Sequence, residues 1–158
     1  MVAARDFAGD LLLRDVQERV VAVLRMAEAL SPKYHVVVAN PPYMGSSGMN
    51  ASLLAYARKV YPESRTDLFA MFMVRALGLA RANSYTAMVN MQVWMFLSSY
   101  ENLRTHLMRN AYITALVHIG FNSFPELNSK VAQAAALVMH KSTQDLSGVF
   151  GNSQAPPR

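Results

Sequence analysis

The chain has 158 residues, 53 % apolar and 16 % charged, which excludes a disordered protein and suits one domain with a real core. Net charge is +5 and eleven of the fifteen basic residues are Arg, a balance that favours a polyanionic partner such as nucleic acid, although the charges are scattered singly. Cysteine is absent, excluding disulfides and thiolate metal sites; no apolar run reaches the ~20 residues of a membrane span, and Met1 to Asp6 carries no signal-like segment, so a cytoplasmic protein is expected.

From Asp10 to Leu30, the residues Leu13, Val16, Val20, Val23, Ala27 and Leu30 recur at spacings of three and four. This predicts an amphipathic helix capped by Asp10, stopped by Ser31-Pro32 and packed against a sheet. The β-branched run His35 to Ala39 reads as a central strand covered on both faces. A Gly/Ser/Asn loop over Met44 to Asn50 follows, then a short helix from Leu53 to Val60. A second long helix is expected from Leu68 to about Ala82, capped by Ser64 or Thr66 and apolar nearly all round, hence largely buried. Ala82-Asn83-Ser84 predicts a turn and Tyr85 to Met91 a strand. Ser98 to Glu101 has the capping-box pattern, opening a helix to about Asn110 with Leu103 and Leu107 inward. Strands are expected at Ile113 to Ile119 and Gln133 to Met139, with a loop over Gly120 to Lys130 between them and a polar, frayed tail from Lys141.

That order predicts an α/β fold, mostly parallel, with helices on both faces. The last two strands have no helix expected between them, so the final strand should pair antiparallel or return by a loop. One partial domain over 1–141 and a polar tail over 142–158 are expected.

Chemistry concentrates at Asn40-Pro41-Pro42-Tyr43, where a buried strand stops. An amine on an aromatic ring or amide is a poor nucleophile because its lone pair is delocalised. Two fixed acceptors for its N–H bonds restore its reactivity. Asn40 offers a side-chain oxygen and Pro41 a backbone carbonyl, both held by the limited backbone freedom at and before proline. Tyr43 offers a flat face for a base that has left its stack. The C-terminal end of a strand is where open α/β sheets bind ligands.

With its neighbours, this motif resembles the adenine-specific DNA methyltransferases that use S-adenosylmethionine, and among them the PglX-type enzymes of BREX phage defence. The similarity spans about residues 34 to 141. It rests on the blocks Asn40 to Asn50, Ser64-Arg65-Thr66-Asp67-Leu68-Phe69, Asn90 to Tyr100 and His118-Ile119-Gly120-Phe121. The resemblance implies that Asn40 and Pro41 hold the target amine, that Pro42 keeps the turn rigid, and that Tyr43 stacks on a flipped adenine in double-stranded DNA. It also implies a second aromatic closing the base pocket, at Phe124 before Pro125 or at Phe121. Trp94 is a further pocket candidate and Phe69 a candidate contact to the cofactor's adenine.

The family's Gly-rich cofactor loop and the acidic residue after the next strand have no counterpart in the sequence. Phe7-Ala8-Gly9-Asp10 follows no strand, and Gly45-Ser46-Ser47-Gly48 follows the wrong one. The chain therefore reads as the back half of a Rossmann-like methyltransferase sheet, inactive alone. The N-terminal half of the domain and the DNA-recognition segments are expected elsewhere, on a longer protein or another chain. The four His have no ligand-like spacing, so no metal site is expected. Protein-glutamine methylation, which poses the same nitrogen problem, and a non-catalytic interaction module are the competing readings.

Overall fold

The computed structural model describes residues 11–120 and 133–142. The chain divides into two units, Met1–Lys33 and Tyr34–Arg158. In the first, helix α1 (Leu11–Leu30) forms where the three-and-four spacing predicts it. It carries i,i+4 ion pairs Arg14–Glu18 at 3.4 Å and Arg19–Asp15 at 3.1 Å. The seam residues Leu13, Val16, Val20, Val23 and Leu30 are not covered by anything in their own unit. Asp10, the expected cap, lies outside the described residues.

The second unit contains β1 (Tyr34–Ala39), α2 (Ala51–Val60), α3 (Leu68–Leu79), β2 (Ala80–Met91), α4 (Glu101–Asn110), β3 (Ala111–Gly120) and β4 (Ala134–Lys141). The sheet order is β1-β2-β4-β3. β1 pairs parallel with β2, while β4 is antiparallel to both β2 and β3. Three strands thus point one way and the last runs against them.

β1 is an edge strand, not the central strand that its composition suggests. Its alternate residues Val37 and Ala39 pack on the core, whereas Val36 and Val38 are 56 % and 72 % exposed. The covered face carries Met88, Leu137 and Met139 against Phe69, Met73 and Leu77 of α3 and Leu103 and Leu107 of α4. The opposite face is uncovered within this unit: Tyr85 and Tyr112 flank His140, each with ring centroids 4.8 Å away. Continuous apolar composition reports that a strand can be buried on both sides; neighbouring elements decide whether it is.

Four local expectations change. Helix α3 ends at Leu79, and Ala80 already pairs with Tyr34. The expected turn survives as a bulge between that pair and Val36–Tyr85, with Asn83 at φ 53° and Ser84 Oγ donating to the Arg81 carbonyl at 2.6 Å. The cap of α3 is Asp67, not Ser64 or Thr66. Finally, α4 makes no capping box: Ser98–Tyr100 forms a separate 3-10 turn, and buried Tyr100, whose ring lies 5.8 Å from Phe69, serves as N-cap without a side-chain bond. Lys141, expected to begin the frayed tail, belongs to β4 and donates to the Leu77 and Ala80 carbonyls at 2.8 and 2.9 Å. It thereby satisfies carbonyls at the C-terminal end of α3.

Candidate active site

Register brings the candidate residues to one rim. Ala39 is level with Met88, Met91 with Ala134, and Ala134 with Gly120. The segments Asn40–Tyr43 and Gln92–Met95 therefore leave the sheet side by side. Asn40 is exposed, Pro41 is buried and Pro42 is exposed, so a rooted proline holds up an accessible carboxamide. Tyr43 is half-buried; its hydroxyl donates to the Val89 carbonyl at 3.3 Å, and its ring meets Phe69 edge-on at 6.2 Å. Burial raises the Tyr43 hydroxyl above its ordinary range, keeping it protonated as that donor.

The loop beyond Tyr43 is tied to the start of α3. The Met44 amide donates to Asp67 Oδ1 at 3.2 Å, and the Phe69 amide donates to the same oxygen at 3.1 Å. In return the Leu68 amide donates to the Met44 carbonyl at 2.9 Å, and the Ser46 amide to the Thr66 carbonyl at 2.9 Å. Gly45 and Asp67 form an isolated antiparallel bridge. One buried carboxylate thus caps a helix and fixes the chain next to Tyr43. Burial raises the Asp67 carboxyl above the usual carboxylate range, opposed by the amides of Phe69, Met44 and Leu68.

Phe69 is fully buried between Tyr43 and Tyr100, where it backs the Tyr43 ring. Trp94 is also buried, in a 3-10 turn that Arg104 of α4 pins by donating to the Trp94 and Leu97 carbonyls at 2.7 and 2.8 Å. Asn90, at the end of β2, is fully buried, and neither its amide nitrogen nor its oxygen has a partner among the described residues. Phe121 and Phe124 lie outside the described residues. Sequence reasoning missed Asp67 as a clamp. The signal was available: an Asp immediately before an apolar helical run is a strong N-cap pattern.

Residues 14–124 match the Eco57I restriction-modification methylase family. The chain belongs to that family. It is 43 % identical over 131 residues to the adenine-specific methyltransferase BrxX of Escherichia coli O9:H4 (strain HS), covering 83 % of this chain and 11 % of the relative. The adenine-specific methyltransferase PglX of Lacticaseibacillus casei (strain Zhang) is 41 % identical over 129 residues, 82 % of this chain and 10 % of that protein. The chain therefore spans about a tenth of the length of these curated relatives. Two crystal structures share the fold. One, from Listeria monocytogenes, is assigned to the class I S-adenosylmethionine-dependent methyltransferases (TM-score 0.55, 12 % identity, 80 % of this chain and 35 % of that one). The other is assigned as the modification subunit of a type I restriction enzyme of Vibrio vulnificus YJ016 (TM-score 0.57, 14 % identity, 71 % of this chain and 24 % of that one).

Membership of the Eco57I family implies S-adenosylmethionine as cofactor, but the described residues do not form its cradle. Gly45 has φ −65°, and a Cβ there would sit at ordinary van der Waals distance from its neighbours, the nearest being Asp67 Oδ2 at 3.8 Å. A Cβ at Gly48 would press on the Met44 side chain at 3.2 Å. These glycines serve their own loop. The carboxylate nearest the rim, Asp67, is already engaged with backbone amides. Among the described residues no cluster of His, Asp or Glu could hold a metal ion, and no helix is long and apolar enough to cross a membrane.

Proposed function

We propose that this chain is the acceptor-side half of an adenine-specific DNA methyltransferase acting in restriction-modification or BREX phage defence. The observation that carries the proposal is the accessible Asn40 carboxamide on a buried Pro41, beside a Tyr43 ring fixed on two sides. The Asn40 side-chain oxygen and the Pro41 carbonyl accept the two N–H bonds of the exocyclic amine of an adenine flipped from the duplex. That draws the nitrogen lone pair out of conjugation with the ring. Tyr43 stacks on the base, with Phe69 buttressing it from behind. These contacts would hold the amine while its nitrogen forms a bond to the methyl carbon, the methyl–sulfur bond of the donor breaks, and one N–H proton is released to solvent. S-adenosylmethionine, when bound, supplies an electrophilic methyl group; the residues that bind it belong to the other half of the domain, on the same polypeptide or a partner. Phe124, or alternatively Phe121, is the proposed second aromatic of the base pocket, with Trp94 a further candidate to line it.

The test is radiolabelled methyl transfer to adenine-containing duplex. The 158-residue chain alone should show background counts, and the assembled enzyme, with its cofactor-binding half, should label adenine. Turnover by the isolated chain would refute the half-site reading. Labelling of a Gln-bearing peptide instead of duplex by the assembled enzyme would refute DNA as the substrate.

A further inference from the structure

A cleft of about 470 Å³ opens beside the catalytic loop, lined by Ser46, Ser47, Leu54, Arg58, Arg65 and Thr66. Arg58 stands in the last turn of α2, and Arg65 in the turn leading to the Asp67 cap. Both are exposed, and neither makes an ion pair among the described residues. Among the described residues no carboxylate lines the cleft. The two nearest acids in sequence are engaged elsewhere: Glu63 faces His106 at 3.7 Å, and Asp67 accepts backbone amides. Two guanidinium groups on one concave surface without counter-charge repel each other, and the concavity concentrates their field. An anion relieves that repulsion, and the hydroxyls of the exposed Ser46 and Ser47 add neutral donors.

We propose that this cleft binds a backbone phosphate of the substrate DNA, close to the flipped nucleotide; the inference rests on the acceptor-half reading above. Guanidinium forks match phosphate oxygens bidentately, which a point charge does not. Position selects the same ligand. Ser46 is three residues beyond Tyr43, a span of at most about 11 Å even when fully extended. A DNA strand carries one charge per ~3.4 Å of axis, so phosphates within about three nucleotides of a base stacked on Tyr43 are in range. The Ser46–Thr66 backbone bond at 2.9 Å makes the cleft wall and the Tyr43 loop one body, so gripping the phosphate also orients the ring. S-adenosylmethionine, whose sulfonium is cationic, is disfavoured there by the same charges.

The experiment compares Arg58→Gln, Arg65→Gln and the double variant in the assembled enzyme, reading duplex Kd by fluorescence anisotropy across a KCl series. The plot of log affinity against log salt should become shallower by about 1 for each phosphate-binding guanidinium removed. The double variant should bind every duplex sequence on the order of tenfold more weakly at fixed salt, with its S-adenosylmethionine Kd unmoved. Arg→Lys variants should keep the salt slope while weakening binding, and matched thermal melts exclude misfolding. An unchanged slope and Kd in the double variant, with wild-type enzyme still methylating duplex, overturns the phosphate site and leaves the function standing. Inorganic phosphate binding that the variants abolish while duplex binding is untouched also overturns it, marking a small-anion site. Failure of the wild-type assembled enzyme to bind or methylate duplex instead strikes the underlying reading.

Discussion

Replacing Asp67 with Ala removes the single oxygen that accepts from both the Met44 and Phe69 amides, at 3.2 and 3.1 Å. Loss of the helix cap costs about 1 kcal/mol. The Met44 amide is only part-buried, so water replaces some of the second bond and its loss costs roughly another 1 kcal/mol. Removing a buried carboxylate returns a fraction of this, because the raised Asp67 pKa marks a charge held against burial. The net expectation is about 1–2 kcal/mol, concentrated at the loop that carries Tyr43. A melt should shift down by roughly 3–8 °C. Methyl transfer by the assembled enzyme should fall by about tenfold in kcat, since a loosened loop holds the Asn40 and Pro41 acceptors in the productive geometry for less of the time. Asp67→Asn keeps an acceptor oxygen at the same place and should restore most of kcat. Asp67 acts here as a positioning residue, and the contrast between Ala and Asn is what identifies the role. Equal kcat for wild type and Asp67→Ala would refute the clamp, and equal losses in Ala and Asn would show that the charge, not the acceptor, matters.

Asn40→Ala should leave the melt unchanged, because the side chain is exposed, yet lower methyl transfer by about 10²–10³-fold, as for loss of one aligned polar group at a reacting centre. The pH dependence of Asp67 has a definite sign. Its folded-state pKa lies above the unfolded value of about 3.8, so its contribution is full below that value and is lost as pH rises through the folded pKa. The stability of wild type relative to Asp67→Asn should therefore improve as urea melts are taken down from neutral pH through that window, and a flat difference would contradict the shift. Lys141→Met removes two donors from the Leu77 and Ala80 carbonyls and should cost about 1–3 kcal/mol, with faster amide exchange at the end of α3.

Local chemistry made the elements legible. Period-3.6 apolar spacing marked α1, and β-branched residues marked β1 and β3. The rigidity of the Asn40-Pro41-Pro42-Tyr43 turn was legible because proline restriction is a property of the chain itself. The boundary of α3 was not legible, since Leu79, Ala80 and Arg81 are all good helix formers and locally favour continuing the helix. Pairing of Ala80 with Tyr34 decides it.

By itself, then, the sequence determined which segments are helix and strand, and that a proline-stiffened turn ending in an aromatic follows β1. Those facts are written in spacing and backbone restriction over a few residues. Only the tertiary structure decided that β1 is an edge strand, that Phe69 backs Tyr43, that Asp67 bridges 23 residues to hold the catalytic loop, and that Arg58 and Arg65 share a cleft. Each depends on residues far apart in the chain meeting in space, and no local pattern encodes such a meeting.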